Sequence, residues 1–182
     1  VVVYTAFGNP QASAESELSA TRSTDGGVSF SAPVRVAPLQ TTPIPAIRTF
    51  SLASAEVDAA GRMYVAWEGC PGGSSCSAGR IVMSTSVNGT AWTPAQSVTS
   101  GGPDVDHFLP GLGASPVTAG RLALVYHSIP DNCANDAECP GIDVFQTTSN
   151  DGGRTWSRQQ RLTAESMRLD WIARTRIGCM LA

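Results

Sequence analysis

One short turn motif returns three times in this chain at constant spacing. A chain built that way folds as repeated units rather than around one unrepeated core. Ser23-Thr24-Asp25-Gly26-Gly27-Val28-Ser29-Phe30 reappears as Ser149-Asn150-Asp151-Gly152-Gly153-Arg154-Thr155-Trp156. Between them stands a copy one residue shorter, Ser86-Val87-Asn88-Gly89-Thr90-Ala91-Trp92. Asp25, Asn88 and Asp151 are each 63 residues apart. The motif has a mechanical reason. A short polar side chain at the Asp position can accept backbone N–H groups across the turn, and Gly supplies the positive φ that L-residues resist. The aromatic that follows is expected to tuck under the hairpin and seal it.

The flanks of the motif repeat as well. Arg62–Glu68 reads as a buried strand, with counterparts in Val2–Phe7 and Leu122–His127; these runs are rich in apolar, β-branched and aromatic residues. Phe50–Val57 and Phe108–Ala114 form a strand before two of them. Leu18–Arg22, Ile81–Thr85 and Ile142–Thr148 lead into the three turns; strands starting at Pro33, Gln96 and Gln160 follow them. One repeat is thus four antiparallel strands in about sixty residues, and four-stranded units arranged around an axis make a β-propeller. No stretch carries a sustained helical period, so the expected class is all-β. The repeats fall at approximately 1–40, 41–102 and 103–165, with 166–182 starting a further blade. About three blades are present where four to eight close a ring, so the expectation is an interior fragment of a longer protein, completed by its remaining blades.

The pattern S-x-D-x-G-x-x-[WF] resembles the Asp-box, or BNR repeat, of the sialidase superfamily. Its positions here are Ser23, Asp25, Gly27 and Phe30; Ser86, Asn88 and Trp92; and Ser149, Asp151, Gly153 and Trp156. The resemblance implies a six-bladed propeller. It also implies a site in which three arginines clamp a sugar carboxylate, a Tyr paired with a Glu acts as nucleophile, and an Asp serves as acid/base. A Tyr nucleophile departs from the usual two-carboxylate glycosidase scheme. The family's Arg-Ile-Pro signature is absent; Ile44-Pro45-Ala46-Ile47-Arg48 is not that motif. Tyr4, Tyr64 and Tyr126 all fall in second-strand positions where packing explains them.

In a four-stranded meander the turn motifs occupy one face, and the loops between second and third strands occupy the other. Residues opening the inner strands would ring the channel mouth on that second face. These are Arg48, Asp106 with His107, and Asp170, while Glu68 and His127 point to the same side. Asp106 is the candidate acid; Arg48, His107 and Asp170 are the candidate substrate contacts. The competing readings are a rim salt bridge for Arg48 and turn capping or channel hydrogen bonding for the others. Asn88-Gly89-Thr90 is formally a glycosylation sequon, but its place in the turn suffices to explain it.

Cys70 and Cys76 share their spacing with Cys133 and Cys139, and Cys70 and Cys133 are again 63 residues apart. Both pairs fall in loops whose ends a hairpin brings together, within disulfide reach. Zinc is the rival, but C-x₅-C lacks the usual ligand spacing, and His107 and His127 are the only histidines. Two local disulfides imply a secreted or extracytoplasmic protein, since cytosol keeps thiols reduced; Cys179 is left over. Charged residues make up 15% of the chain, against roughly 25% in soluble domains, and the net charge is −3 with no basic cluster. Nucleic acid is therefore not an expected partner. No apolar run approaches the ~18 residues of a membrane span, and nothing points to a cofactor or metal. The expected function is an exo-α-sialidase-like glycoside hydrolase acting on terminal sialic acids of glycoconjugates. The alternative is a non-catalytic BNR propeller that binds glycan or protein. A third possibility is an unrelated glycosidase on the same propeller, which paired channel carboxylates would mark.

Overall fold

The computed structural model describes residues 1–8, 16–40, 44, 47, 51–70, 76–102, 104–130 and 141–169. They form three antiparallel sheets. The first contains β1 (Val2–Ala6), β2 (Glu17–Thr21) and β3 (Val34–Pro38) in that order. The second contains β4 (Ser54–Val57), β5 (Met63–Gly69), β6 (Arg80–Ser86) and β7 (Gln96–Ser97). The third contains β8 (Val105–Ala114), β9 (Leu122–Pro130), β10 (Asp143–Ser149) and β11 (Gln160–Arg161). Each strand pairs with its sequence neighbour, the meander expected of a blade. The class is all-β, as the strand runs predicted.

Strand alternation decides which residues face which neighbour. On β5, Val65 and Trp67 join Leu18, Ala37 and Val82 in a core between the first and second sheets. Tyr64 and Ala66 point the other way, into a core with Ile81, Met83, Leu112, Leu122, Leu124 and Tyr126 between the second and third sheets. The second sheet is therefore covered on both faces, which explains its unbroken apolar run. Tyr64 and Tyr126 are core residues as expected. Tyr4 is not, because the outward face of the first sheet has no partner among the described residues and leaves it exposed.

The outer strands are shorter than their sequence runs. β7 and β11 pair at only two residues each. Beyond them single bonds continue the contact, Val98 N–H to the Ile81 carbonyl and Leu162 N–H to the Val144 carbonyl, both 2.8 Å. The Thr99 hydroxyl then takes over as acceptor for the Ile81 N–H at 3.1 Å.

The three turn motifs share one hydrogen-bond scheme. Ser23, Ser86 and Ser149 each accept an N–H from a glycine of the turn, Gly27, Gly89 or Gly153, at 2.8–2.9 Å. Each serine hydroxyl donates to the Asp or Asn two residues on. Asp25 and Asp151 then accept the N–H and hydroxyl of Ser29 and Thr155. Asn88 offers one side-chain oxygen, which accepts from the N–H groups of Thr90 and Ala91. The outer copies place two successive glycines at positive φ; the shorter middle copy places one. Trp92 packs onto the core between sheets one and two, and Trp156 onto the core between sheets two and three. Each aromatic thus leans on the preceding sheet. Phe30 has no preceding sheet among the described residues and stays exposed, so the expected seal is missing there.

Candidate functional site

At the end of the sheets opposite the turn motifs, polar groups gather where the second sheet meets the third. Glu68 closes the buried run of β5 and Asp106 opens that of β8; both are only 1% exposed. Gly79 stands between them. A methyl group at that α-carbon would lie 3.4 Å from Asp106 Oδ1 and 3.5 Å from Glu68 Oε1. The Gly79 N–H donates to Asp106 Oδ1 at 2.6 Å, and the His107 N–H donates to the Gly79 carbonyl at 3.1 Å. A backbone segment without a side chain thus brings two carboxyl groups from different sheets to one point.

The electrostatics follow from this burial. Glu68 is pushed up to about 7 by loss of water and, after that, by the neighbouring Asp106 charge. Its Oε2 has no hydrogen-bond partner among the described residues. His107 is pulled down to about 4, first by burial and then by the Arg80 guanidinium. Its Nδ1 lies 2.8 Å from the Thr99 hydroxyl, and its ring meets Tyr126 edge-on with centroids 4.9 Å apart. Arg80 crosses the seam as a clamp, donating to the carbonyls of Gly79, Val105, Gly101 and Gly102 at 2.5–3.2 Å. Burial pushes the Tyr126 hydroxyl up; it donates to Gln159 Oε1, whose amide in turn reaches Ser100.

The structure thus brings together Asp106 and His107, the first as one half of a carboxyl pair. Both are buried in the seam between sheets rather than lining an open channel, because β8 packs directly across β5. Arg48 and Asp170 lie outside the described residues. Glu68 was legible in the sequence as a same-side acid. Its partnership with Asp106 was not, since it depends on Gly79, a residue with no side chain to notice. His127 stacks on Phe108 at 5.5 Å.

Cys70 and Cys76 form a disulfide with Cα atoms 5.4 Å apart. It ties the loop between β5 and β6 at the same end as Glu68. Cys133 and Cys139 lie outside the described residues. Among the described residues no group of three or more His, Cys, Asp or Glu is placed to hold a metal ion. No helix there is long and apolar enough to cross a membrane.

No family model matches the chain, and no curated protein matches it in sequence. Among solved structures, the chain is similar in fold to an α-L-arabinanase from Penicillium chrysogenum complexed with arabinobiose, with a TM-score of 0.53 and 14% identity. The match covers 91% of this chain and 46% of the arabinanase. The chain therefore spans about half the length of that relative, whose fold is a propeller. The three sheets are arranged as part of a β-propeller.

Proposed function

We propose that the chain is part of a carbohydrate-active β-propeller of the glycoside-hydrolase kind, and that its finer class is exo-α-sialidase-like, acting outside the cytoplasm on terminal sialic acids. The observation that carries the hydrolytic reading is the Glu68–Asp106 pair. Two carboxyl groups are held together out of water, and burial raises Glu68 to about 7, the range in which a general acid at a glycosidic oxygen works. In this reading Glu68, whose raised carboxyl keeps its proton near neutral pH, is placed as the acid, and Asp106 acts beside it as the base. Arg48, His107 and Asp170 are the groups proposed to contact the sugar. The three turn motifs, with their common hydrogen bonds, are what the resemblance to the Asp-box rests on, a resemblance the sialidase reading shares with its alternatives. The three sheets among the described residues are fewer than the four to eight that close a ring, and in this reading further blades complete the site.

The near-complete burial of Glu68 and Asp106 favours a second reading, a non-catalytic propeller that binds glycans, in which the pair only stitches two blades. Release of fluorophore from an α-sialoside by the ring-complete protein separates the two. The hydrolase reading expects turnover that Asp106→Asn lowers by about 10²–10⁴-fold in kcat/KM. It expects Arg48→Ala to lower kcat/KM by about tenfold to a thousandfold. Residues 1–182 alone are expected to show none. A folded ring-complete protein inert on every sialoside would leave the binding module.

A further inference from the structure

At the turn end of the same seam, a groove of about 530 Å³ opens between the second and third sheets. It sits at the start of β5, beside Arg62 and Tyr64, whereas Glu68 lies towards that strand's finish. Four charged side chains line it: Asp58, Asp151, Arg62 and Arg154. The two acids are consumed by the fold. Asp58 accepts from the N–H groups of Ala60, Arg62 and Gly120 and from the Tyr64 hydroxyl at 2.8–3.0 Å. Asp151 accepts from Ser149 and Thr155 within its own turn.

The two guanidiniums are not consumed. Among the described residues the ion pairs are Arg35–Glu17 and Arg161–Asp143, and neither Arg62 nor Arg154 takes part in one. Arg154 makes a single long contact, 3.5 Å, to the Asp151 carbonyl. Arg62 and Arg154 line the groove together with Tyr64. Gly152 keeps the wall at Tyr64 open, since a methyl group there would stand 3.3 Å from the Tyr64 hydroxyl oxygen.

We propose that this groove binds a small acidic saccharide, its carboxylate held by Arg62 and Arg154 and its hydroxyls by Gln96, Ser97 and Thr85. A planar guanidinium suits a carboxylate by two parallel hydrogen bonds. The groove falls within the ~300–1,000 Å³ of small-molecule sites, and Thr85, Gln96, Ser97 and Asn150 on its lining offer hydroxyl and amide groups suited to sugar hydroxyls, beside the apolar Met83 and Val98. The site is at the opposite end from the Glu68–Asp106 pair and stands whether or not the chain belongs to a hydrolase.

Saturation-transfer NMR, which tolerates association of the protein, tests it with glucuronic acid, glucose and inorganic sulfate as probes. Glucuronic acid is expected to receive saturation and glucose none. Arg62→Gln and Arg154→Gln should each weaken glucuronic acid binding by about tenfold, while Arg158→Gln, outside the groove, leaves it intact. Arg154 is exposed, so its variant keeps the test open should Arg62→Gln disturb folding. Equal saturation of glucose, or binding unchanged in both groove variants, would overturn the proposal. Full displacement by equimolar sulfate would show that the groove reads only an anion and would overturn the saccharide assignment.

Discussion

Glu68 and His107 carry opposite pH dependences at one seam. For Glu68 the folded value of about 7 lies above its ordinary 4.5. The folded state therefore holds the proton more tightly, and this contribution to stability is lost as pH rises from about 4.5 through 7. For His107 the folded value of about 4 lies below its ordinary 6.5. That contribution is present above 6.5 and is lost as pH falls towards 4. Between pH 4.5 and 6.5 the two slopes oppose each other. Glu68→Gln removes one of them, so the variant's stability should rise with pH across that window, measured by denaturant unfolding. The wild-type protein should stay flatter, with a Glu68 contribution of ~3 kcal/mol over its own window. A variant profile parallel to wild type would show that Glu68 is ionised in the fold. These residues also mark where the sequence stops being informative. The turn residues Ser23, Asp25 and Gly27 announce their own partners, because the bonds are local. Glu68 and Asp106 meet across 38 positions of chain, and only tertiary packing brings them together.

At the scale of elements, one latch joins the second and third sheets at the turn end. Asp58, in the turn between β4 and β5, receives Tyr64 from its own sheet and the Gly120 N–H from the next; the Gly120 carbonyl then receives the Gly152 N–H at 2.8 Å. Burial would raise the Asp58 carboxyl, but these hydrogen bonds outweigh it and hold the group below its usual range. Asp58→Ala strands buried donors and should cost about 2–4 kcal/mol. Tyr64→Phe, which removes one donor, should cost about 1 kcal/mol. The double mutant should lose less than the sum, since both act on one bond; strict additivity would show the bond is not made. Reducing Cys70–Cys76, which closes a separation of six residues, should cost about 2 kcal/mol. Non-reducing peptide mapping should also link Cys133 with Cys139, and finding both as free thiols would refute that second pairing. Strand positions were legible because alternation and turn chemistry are local signals. The two-residue lengths of β7 and β11 were not, because an outer strand's pairing ends where side chains such as Thr99 replace backbone acceptors.

Over the whole molecule, the outward faces of the flanking sheets leave apolar side chains in water. Val2 on the first sheet is 47% exposed and Val125 on the third is 41% exposed. Blade stability depends on neighbour contacts, so residues 1–182 alone are expected to associate in solution. Light scattering that finds a monodisperse monomer, with a cooperative thermal transition, would contradict this. The repeat of 63 residues made the blade architecture readable from the sequence. It could not reveal the chemistry, because the turn motifs lie at the end away from Glu68 and Asp106. The most direct measurement is therefore a crystal structure of the ring-complete protein soaked with a sialic acid. The account predicts sugar density at the end bearing Glu68, Asp106 and His107, within hydrogen-bond reach of Asp106. Absence of sugar at that end, with the carboxyl pair still closed between the two sheets, would contradict it.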